Sequence, residues 1–292
     1  MSSAGATRRM HRLDPAALAG VMSRDVVLFR RYWKATTFSS VVQPTIYLLA
    51  FGLGFGSLVS HVGHVRYVEY VATGVVATAV LFSSAFPGMF NTFIRWQFQR
   101  TYDALLAAPV DVEELVTAEI IWISVRAGVY GLAPLVVGIA FGLDPRPGML
   151  LVPLIGFVTG FGFAAFGVLI AAIAKTIDNF NYVTSAVLTP MFLVAGTFFP
   201  ISSLPPALHT IAQFNPLYHC VALVRDVSVG TIGPADLLHA AVLTYRLFQL
   251  LIPALLGAPA FVLLRRTLVR ADQPARVCAP LAGEVVELPA PT

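Results

Sequence analysis

Six long apolar stretches constrain this chain of 292 residues more than any other feature of its sequence. About 20 consecutive apolar residues are enough to cross the hydrocarbon core of a bilayer as a helix. The stretches cover residues 41–60, 70–91, 120–141, 149–174, 180–199 and 241–264. Only 12% of the residues are charged, against about 25% in ordinary soluble domains. The sequence therefore predicts an all-α, polytopic membrane protein with six transmembrane helices.

Basic residues are distributed unequally between the two sides of these spans. One side carries Arg8, Arg9, Arg12, Arg24, Arg30, Arg31, Lys34, Arg95, Arg100, Lys175, Arg265, Arg266, Arg270 and Arg276. The other side carries Arg66, Arg146 and Arg225. Because basic residues accumulate on the cytoplasmic side, we expect a multi-pass protein of the cell (inner or plasma) membrane with both termini in the cytoplasm. The same asymmetry explains the net charge of +4 without a nucleic-acid partner.

The segments outside the spans differ in composition. Residues 1–13 are expected to be a flexible N-terminus, and residues 267–292, rich in Pro and Ala, a disordered cytoplasmic tail. Residues 14–39 begin with Asp14-Pro15, a helix-start signal, and mix aromatic with basic side chains. This pattern favours an amphipathic interface helix at the inner leaflet, although a plain topogenic charge cluster would also explain it. Residues 40–266 hold the six-span domain.

A short amphipathic helix is predicted between spans two and three, over residues 101–108, and Pro109 ends it. Asp111 and Glu114 then have the spacing of a capping box that opens the next helix. A short helix held between two spans on the cytoplasmic side is placed to transmit force from a soluble partner. An ordinary ordered loop is the alternative that spacing alone leaves open.

Two more short helices are predicted on the outer side, between spans five and six. The first covers about residues 204–214. Asn215-Pro216 opens the second as a cap followed by proline, and Gly230 ends it. Each helix is too short to span the membrane and too apolar for water, which favours re-entrant or interfacial helices.

Sequence motifs of catalysis are missing. The chain has no His-Glu-x-x-His zinc pair, no Gly-x-Ser-x-Gly nucleophile elbow and no Gly-x-x-x-x-Gly-Lys-Ser/Thr phosphate loop. We expect no enzyme activity, no metal and no cofactor in this chain, and no disulfide between Cys220 and Cys278. If ATP drives the protein, a separate chain must bind the ATP and its magnesium.

Few ionisable side chains fall inside the predicted spans, where each costs about 2.5–3.5 kcal/mol. Arg126 is expected two turns into span three, where it either snorkels or pairs with Glu119, and Arg246 near the outer end of span six. No Asp or Glu falls at a predicted span centre, which argues against an ion-coupled carrier. Gly156 and Gly160 have the Gly-x-x-x-Gly spacing that permits close helix packing, more readily within the chain than in a dimer.

Phenylalanines gather in spans two and five. Any single one is more readily explained by helix packing or lipid contact. As a group they are candidates to line an apolar path for a lipid-like or amphiphilic solute. The candidate path residues are Phe82, Phe86, Phe192, Phe198 and Phe199.

Three stretches of the sequence resemble the permease (membrane) subunits of ABC type-2 exporters. Within that family the likeness is to the nodulation-factor lipooligosaccharide exporter J-protein and daunorubicin-exporter B-protein group. The stretches are residues 100–110 (RTYDALLAAPV) followed by Glu114-Leu115, residues 181–200 (NYVTSAVLTPMFLVAGTFFP), and Leu204-Pro205 together with residues 215–219 (NPLYH) and 223–225 (LVR). The likeness covers about residues 14–266.

The resemblance implies a working exporter of two permeases, either a homodimer or two related chains, and two ABC ATPase subunits, surrounded by membrane lipid. The helix that couples to the ATPase would comprise Arg100, Thr101, Tyr102, Asp103, Leu105 and Leu106. An outer re-entrant gate would comprise Asn215, Pro216, Tyr218 and His219. The expected function is that of an ATP-driven export permease for a lipid-like, glycolipid or drug-like amphiphile. A stand-alone secondary carrier or channel is the alternative, and a membrane scaffold is a third hypothesis.

Overall fold

A computed structural model describes residues 14–247 and 249 of the chain, except residues 64, 109, 204 and 232. The predictions for the N-terminus, the tail, Pro109 and most of span six lie outside the described residues. Within the described part, the regular structure is helical apart from one short β-hairpin.

The first helix, α1, runs from Pro15 to Tyr47. Asp14 caps it as predicted, since its Oδ1 accepts a hydrogen bond from the Ala16 amide at 2.9 Å. The helix continues as a π-helix over Leu48–Gly54 and a 3₁₀ turn over Phe55–Ser57. The helix therefore continues across the predicted junction between residues 39 and 40. The predicted interface helix and first span form one continuous helix.

A hairpin of β1 (His61–Val62) and β2 (Val65–Arg66) follows, with His61 opposite Arg66. Helix α2, Tyr67–Phe86, leads out of it and continues through π-helical segments at Pro87–Asn91 and Ile94–Phe98. Because Pro87 has no N–H for the helical ladder, the change to wider turns at that residue follows from its chemistry.

Four helices follow in the central part of the chain. They are α3 (Thr101–Leu105), α4 (Val112–Tyr130), α5 (Leu132–Ala140) and α6 (Val152–Ile173), the last preceded by a 3₁₀ turn at Pro147–Leu151. The predicted capping box at the start of α4 is confirmed, because the side chains of Asp111 and Glu114 each meet the other's backbone N–H.

Three helical segments of the described residues are long and apolar enough to cross a membrane. They are Tyr67–Phe98, Val112–Ala140 and Pro147–Ile173, which coincide with predicted spans two, three and four. The count of six spans stays a prediction.

Predicted span five is shorter than expected. It consists of α7 (Asn179–Val183), a π-helical turn (Thr184–Leu188) and α8 (Thr189–Leu193). The expectation of helix to residue 199 is wrong at that end. Beyond α8 the chain turns, and Gly196 takes a φ of 77° that a side-chain-bearing residue rarely adopts.

Both predicted short helices between spans five and six are present. They are α9 (Pro206–Phe214) and α10 (Pro216–Val229), and a further helix, α11, covers residues 234–247. Gly230 ends α10 with a φ of 81°, as predicted for a C-terminal glycine. At 14 residues α10 is about 21 Å long, short of the bilayer core, and its re-entrant placement stays a prediction.

Small residues bring α4 and α6 together. A Cβ added at Gly156 would lie 3.1 Å from the Cα of Gly128, and one added at Gly160 would lie 2.8 Å from the Cβ of Ala127. The Gly-x-x-x-Gly spacing in span four therefore packs within the chain, as the sequence favoured.

Candidate functional site

Tyr102 anchors the short helix α3. Its side chain is 4% exposed, and its hydroxyl donates a hydrogen bond to Oε2 of Glu119 in α4. Burial, reinforced by the nearby Glu119 carboxylate, raises the pKa of Tyr102 well above its usual value. The phenol thus remains a hydrogen-bond donor at any physiological pH, and α3 is fixed to α4.

Glu119 is the centre of a buried polar cluster. Its Oε1 lies 3.1 Å from Oγ1 of Thr92 and 3.2 Å from Nη1 of Arg95. Arg95 also lies 3.2 Å from Oδ1 of Asp25 in α1. We call Asp25, Thr92, Arg95, Tyr102 and Glu119 the buried polar cluster. It joins α1, the C-terminal end of the second predicted span, α3 and α4.

Sequence reasoning missed this cluster. It considered Glu119 only as a partner for Arg126, whereas the structure pairs Glu119 with Arg95. A signal was present, because Asp25, Arg95 and Glu119 are charged residues next to apolar stretches. Their pairing depends on tertiary contacts between residues up to 94 positions apart, from Asp25 to Glu119, and spacing alone does not supply it.

The remaining predicted coupling residues surround Tyr102 and differ in their exposure to solvent. The side chains of Arg100 and Asp103 are 76% and 47% exposed, with Nη1 and Oδ2 3.8 Å apart. Thr101 is half-buried, and Leu105 and Leu106 pack beside Tyr102. Arg100 has a φ of 51°, which turns the chain sharply into α3. The helix therefore exposes Arg100 and Asp103 at the surface while Tyr102 holds it in place.

The predicted outer gate residues share one local network. Asn215 accepts from the Leu217 amide at 2.9 Å, which caps α10 at the residue before Pro216. Its Nδ2 donates to the Met191 carbonyl at 2.6 Å, so the start of α10 is tied to α8. This single amide side chain joins the outer helices to predicted span five.

His219 lies in the first turns of α10 and contacts a second histidine. Its Nδ1 is 2.9 Å from Nδ1 of His239 in α11, and its Nε2 is 2.9 Å from the Gln213 carbonyl. Burial lowers the pKa of His219. The ring of Tyr218 lies against both imidazoles, at centroid distances of 5.2 and 5.8 Å. His239 was not singled out from the sequence.

Arg225 fastens α10 to the second span. Its guanidinium lies 3.7 Å from the ring centroid of Tyr70 and donates to the Gly196 carbonyl at 3.1 Å. The Tyr70 hydroxyl donates to the same carbonyl at 2.9 Å. A cation over an aromatic face is strongest when both are shielded from water, as here.

Four of the five predicted path phenylalanines belong to one unbroken series of ring contacts. Phe82 is 6.0 Å from Phe192, and Phe192 is 5.5 Å from Phe198. We call the whole series the aromatic row: Phe51, Phe198, Phe192, Phe82, Phe86, Phe90, Phe180, Phe93 and Phe98. Phe199 is 40% exposed and joins no ring contact among the described residues.

A cavity of about 460 Å³ lies beside the middle of the aromatic row. Its walls come from α1, α2 with its π-helical extension, and α4, and they include Ser40, Phe82, Phe86, Arg126 and Tyr130. The volume is within the range of small-molecule sites. Phe82, Phe86 and Phe90 of the aromatic row line this cavity, and Asn91 and Arg126 supply polar groups at its edge.

Residues 17–228 match the sequence profile described as ABC-2 type transporter. This chain belongs to the ABC-2 type transporter family. The family assignment made from the sequence is confirmed, and with it a transport permease subunit located in a membrane. Members of the family normally pair with an ABC ATPase subunit.

Several curated relatives are similar over most of their length. Nodulation protein J of Rhizobium leguminosarum bv. viciae is 30% identical over 250 residues, covering 86% of this ABC-2 chain and 94% of the relative. Nodulation protein J of Neorhizobium galegae is 30% identical over 80% of this chain and 92% of its own. The inner membrane transport permease YadH of Escherichia coli K12 is 25% identical over 73% of this chain and 83% of its own.

Proposed function

We propose that this chain is the permease subunit of an ATP-driven exporter that carries a lipid-like amphiphile across the cell membrane. Two permease copies and ABC ATPase subunits would make the working unit. The observation that carries the proposal is the anchoring of α3 by Tyr102 to Glu119, with Arg95 and Asp25 alongside. A permease needs such a rigid junction where a soluble motor meets its membrane helices.

The buried polar cluster connects α3 to several helices of the membrane domain, so a movement of α3 would be transmitted to each of them. When ATP binding brings the partner ATPases together, α3 is displaced with them. Because Tyr102 is bonded to Glu119, α4 follows; because Arg95 bridges Glu119 and Asp25, the second span and α1 follow too. One displacement thus reaches three long helices at once.

The aromatic row supports an amphiphilic cargo. It connects the outer Phe51 and Phe198 to the inner Phe93 and Phe98 through ring contacts. A surface of ring faces suits acyl or aromatic groups and offers nothing to a hydrated ion. The outer helices, held by Asn215 to α8, would cover the outer end of this passage until the domain moves.

Co-purification and transport with the ATPase partner test the proposal. Asp103→Arg reverses the charge on the exposed side of α3 and leaves the buried polar cluster intact, so it is expected to reduce ATPase co-purification severalfold. Asp144→Arg is the matched control, because Asp144 is an exposed acid in the loop after α5, on the predicted outer side. It is expected to co-purify like the unaltered chain.

A second variant separates docking from force transmission. Tyr102→Phe keeps the ring but removes the hydroxyl that bonds to Glu119, so the ATPase is expected to bind normally while transport per ATP hydrolysed falls. Solute movement by the purified chain under an ion gradient, with no ATPase present, would contradict the proposal and favour a secondary carrier.

A further inference from the structure

Arg126 is a charged residue at the middle of a helical segment that is long and apolar enough to cross a membrane. It lies 14 residues from either end of the segment Val112–Ala140. Its Nε is buried without a hydrogen bond, and the described residues place no carboxylate within ion-pair distance of it. The ring centroids of Phe29 and Tyr130 each lie 5.9 Å from its Cζ. An unpaired cation at this depth is costly and usually serves a function.

Cavities of opposite character meet at Arg126. The first is the cavity of about 460 Å³ beside the aromatic row, which Phe82, Phe86 and Phe90 line. The second, of about 390 Å³, extends toward Gln99 near α3 and has polar walls that include Thr36 and Arg95. Arg126 and Asn91 line both cavities. The guanidinium therefore lies at a boundary between polar and apolar space.

The charges around this boundary leave a net positive site. Asp25 is the acidic residue in the walls of the polar cavity, and it is already paired with Arg95 at 3.2 Å and Arg24 at 3.8 Å. Arg95 in turn is shared with Glu119. The charge of Arg126 is thus left uncompensated within the described residues, where an anion from outside the chain would balance it.

We propose that Arg126 binds the acidic headgroup of an amphiphile whose acyl chain lies in the aromatic-walled cavity. Its planar guanidinium matches a phosphate or carboxylate with two parallel hydrogen bonds. Asn91, at the same boundary, offers an amide N–H to the headgroup. The adjoining phenylalanines and Tyr130 supply the apolar and ring surface that an acyl chain needs.

A resident bilayer phospholipid and an acidic amphiphilic cargo would share this chemistry. Because the cavity adjoins the proposed path, the assignment of the acidic amphiphile as cargo rests on the proposed function. Binding to the permease itself does not, since it requires neither ATP nor the ATPase.

Lipid binding to the purified full-length permease tests the site directly. Native mass spectrometry with phosphatidylglycerol and phosphatidylcholine of identical acyl chains is expected to show a roughly tenfold preference for the acidic lipid. Arg126→Gln is expected to abolish that preference, and Arg126→Lys, which keeps the charge, to retain part of it. Arg246→Gln is the matched control, since Arg246 also has a buried Nε without a partner and lies 4.7 Å from a ring, that of Phe214, outside both cavities.

The site would be overturned by no preference for the acidic lipid in the unaltered chain, or by the same preference in Arg126→Gln. The lysine variant guards against loss of the fold, because a folded Arg126→Lys protein without any preference also contradicts the proposal.

Reconstitution with the ATPase distinguishes cargo from resident lipid. Lysophosphatidylglycerol is expected to stimulate ATP hydrolysis by the unaltered complex several times more than by the Arg126→Gln complex. Binding without stimulation would overturn the cargo assignment and leave a lipid site. Failure of the proposed function itself would show differently, as a permease that selects phosphatidylglycerol but never associates with an ATPase.

Discussion

At the scale of single residues, the charged and polar side chains near the membrane fall into two groups. Arg95, Glu119 and Asp25 satisfy one another in a buried cluster, whereas Arg126 faces open cavities. Removing one member of a buried ion cluster lowers the free energy of unfolding far more than breaking an exposed ion pair does, because the remaining buried charge has no water to solvate it. The first group should therefore govern stability, and the second should govern binding.

Arg95→Met should destabilise the protein by roughly 3–5 kcal/mol, because it leaves Asp25 and Glu119 buried without their shared cation. Arg24→Met is the control: the Arg24 side chain is 30% exposed and lies 3.8 Å from Asp25, so its loss should cost less than about 1 kcal/mol. Unfolding by denaturing detergent, followed by circular dichroism, measures both. Equal losses in the two variants would contradict the cluster's role.

Asp226, near the C-terminal end of α10, makes the free energy of unfolding depend on pH, and the sign of that dependence follows from its pKa. Burial, and then the neighbouring Asp236, raises the pKa of Asp226 from 3.8 to about 6. The folded state thus holds a proton that the unfolded state has released between these values, and stability falls as pH rises from about 4 to about 6. Asp226→Asn removes this loss.

The measurement is the difference in unfolding free energy between the Asp226→Asn variant and the unaltered protein across that range. The asparagine variant should become relatively more stable as pH rises to about 6, with little further change above pH 7. A difference that stays constant from pH 4 to pH 7 would rule out the raised pKa.

At the scale of elements, backbone contact between glycines decides how closely the spans pack. Besides the α4–α6 contact, a Cβ at Gly88 would lie 2.9 Å from the Ala164 carbonyl and 3.1 Å from the Gly167 Cα. The segments that hold α2, α4 and α6 thus touch through their backbones. Such contacts replace the hydrophobic effect as the source of association between helices in lipid.

Gly128→Ala should destabilise the α4–α6 contact by roughly 1–3 kcal/mol, because the new methyl would lie 2.6 Å from the Pro153 carbonyl oxygen. Gly20→Ala in α1 meets no atom within 4 Å and should stabilise its helix by about 0.5–1 kcal/mol. The melting temperature of each purified variant, read from the loss of monodisperse protein, should fall for the first and rise for the second.

Local signals explain which elements could be predicted from the sequence. The capping box at Asp111 and Glu114, the cap at Asn215 and the stop at Gly230 depend on residues within a few positions of each other, and all three are present. The early end of predicted span five was missed because the apolar run continues past Leu193 although the backbone turns at Gly196.

Long-range contacts explain what the sequence could not supply for the candidate site. The aromatic row joins Phe82 to Phe192 and Phe90 to Phe180, from helices far apart in the chain. Composition suggested that phenylalanines cluster, and the ring contacts show which ones meet. The pairing of Arg95 with Glu119 and the isolation of Arg126 likewise depend on how α1, α2 and α4 pack.

At the scale of the whole molecule, the unequal distribution of basic residues predicts an orientation in the membrane that cysteine labelling can test. Glu113 and Asp144 are exposed residues that lie just inside one end and just beyond the other end of the segment Val112–Ala140. The distribution of basic residues predicts that Asp144 is outside the cell and Glu113 is in the cytoplasm.

Cysteines at these two positions, in a chain carrying Cys220→Ser and Cys278→Ser, report that orientation. A membrane-impermeant thiol reagent added to intact cells should label Asp144→Cys and leave Glu113→Cys unlabelled until the membrane is permeabilised. The reverse pattern would place the ATPase-facing helix on the wrong side and overturn the proposed coupling.

If the aromatic row lines the proposed path, it also affects how the path selects cargo by the length of its alkyl chain. Ring faces offer dispersion contacts but no hydrogen-bonding atoms to fix a register. An alkyl chain lying along Phe82, Phe86 and Phe90 can shift by one methylene and exchange each contact for an equivalent one. The energy profile for sliding is then shallow, a series of small, nearly equal steps. The proposed path would therefore discriminate flexible chains from rigid polar segments but would hardly distinguish a short chain from a long one.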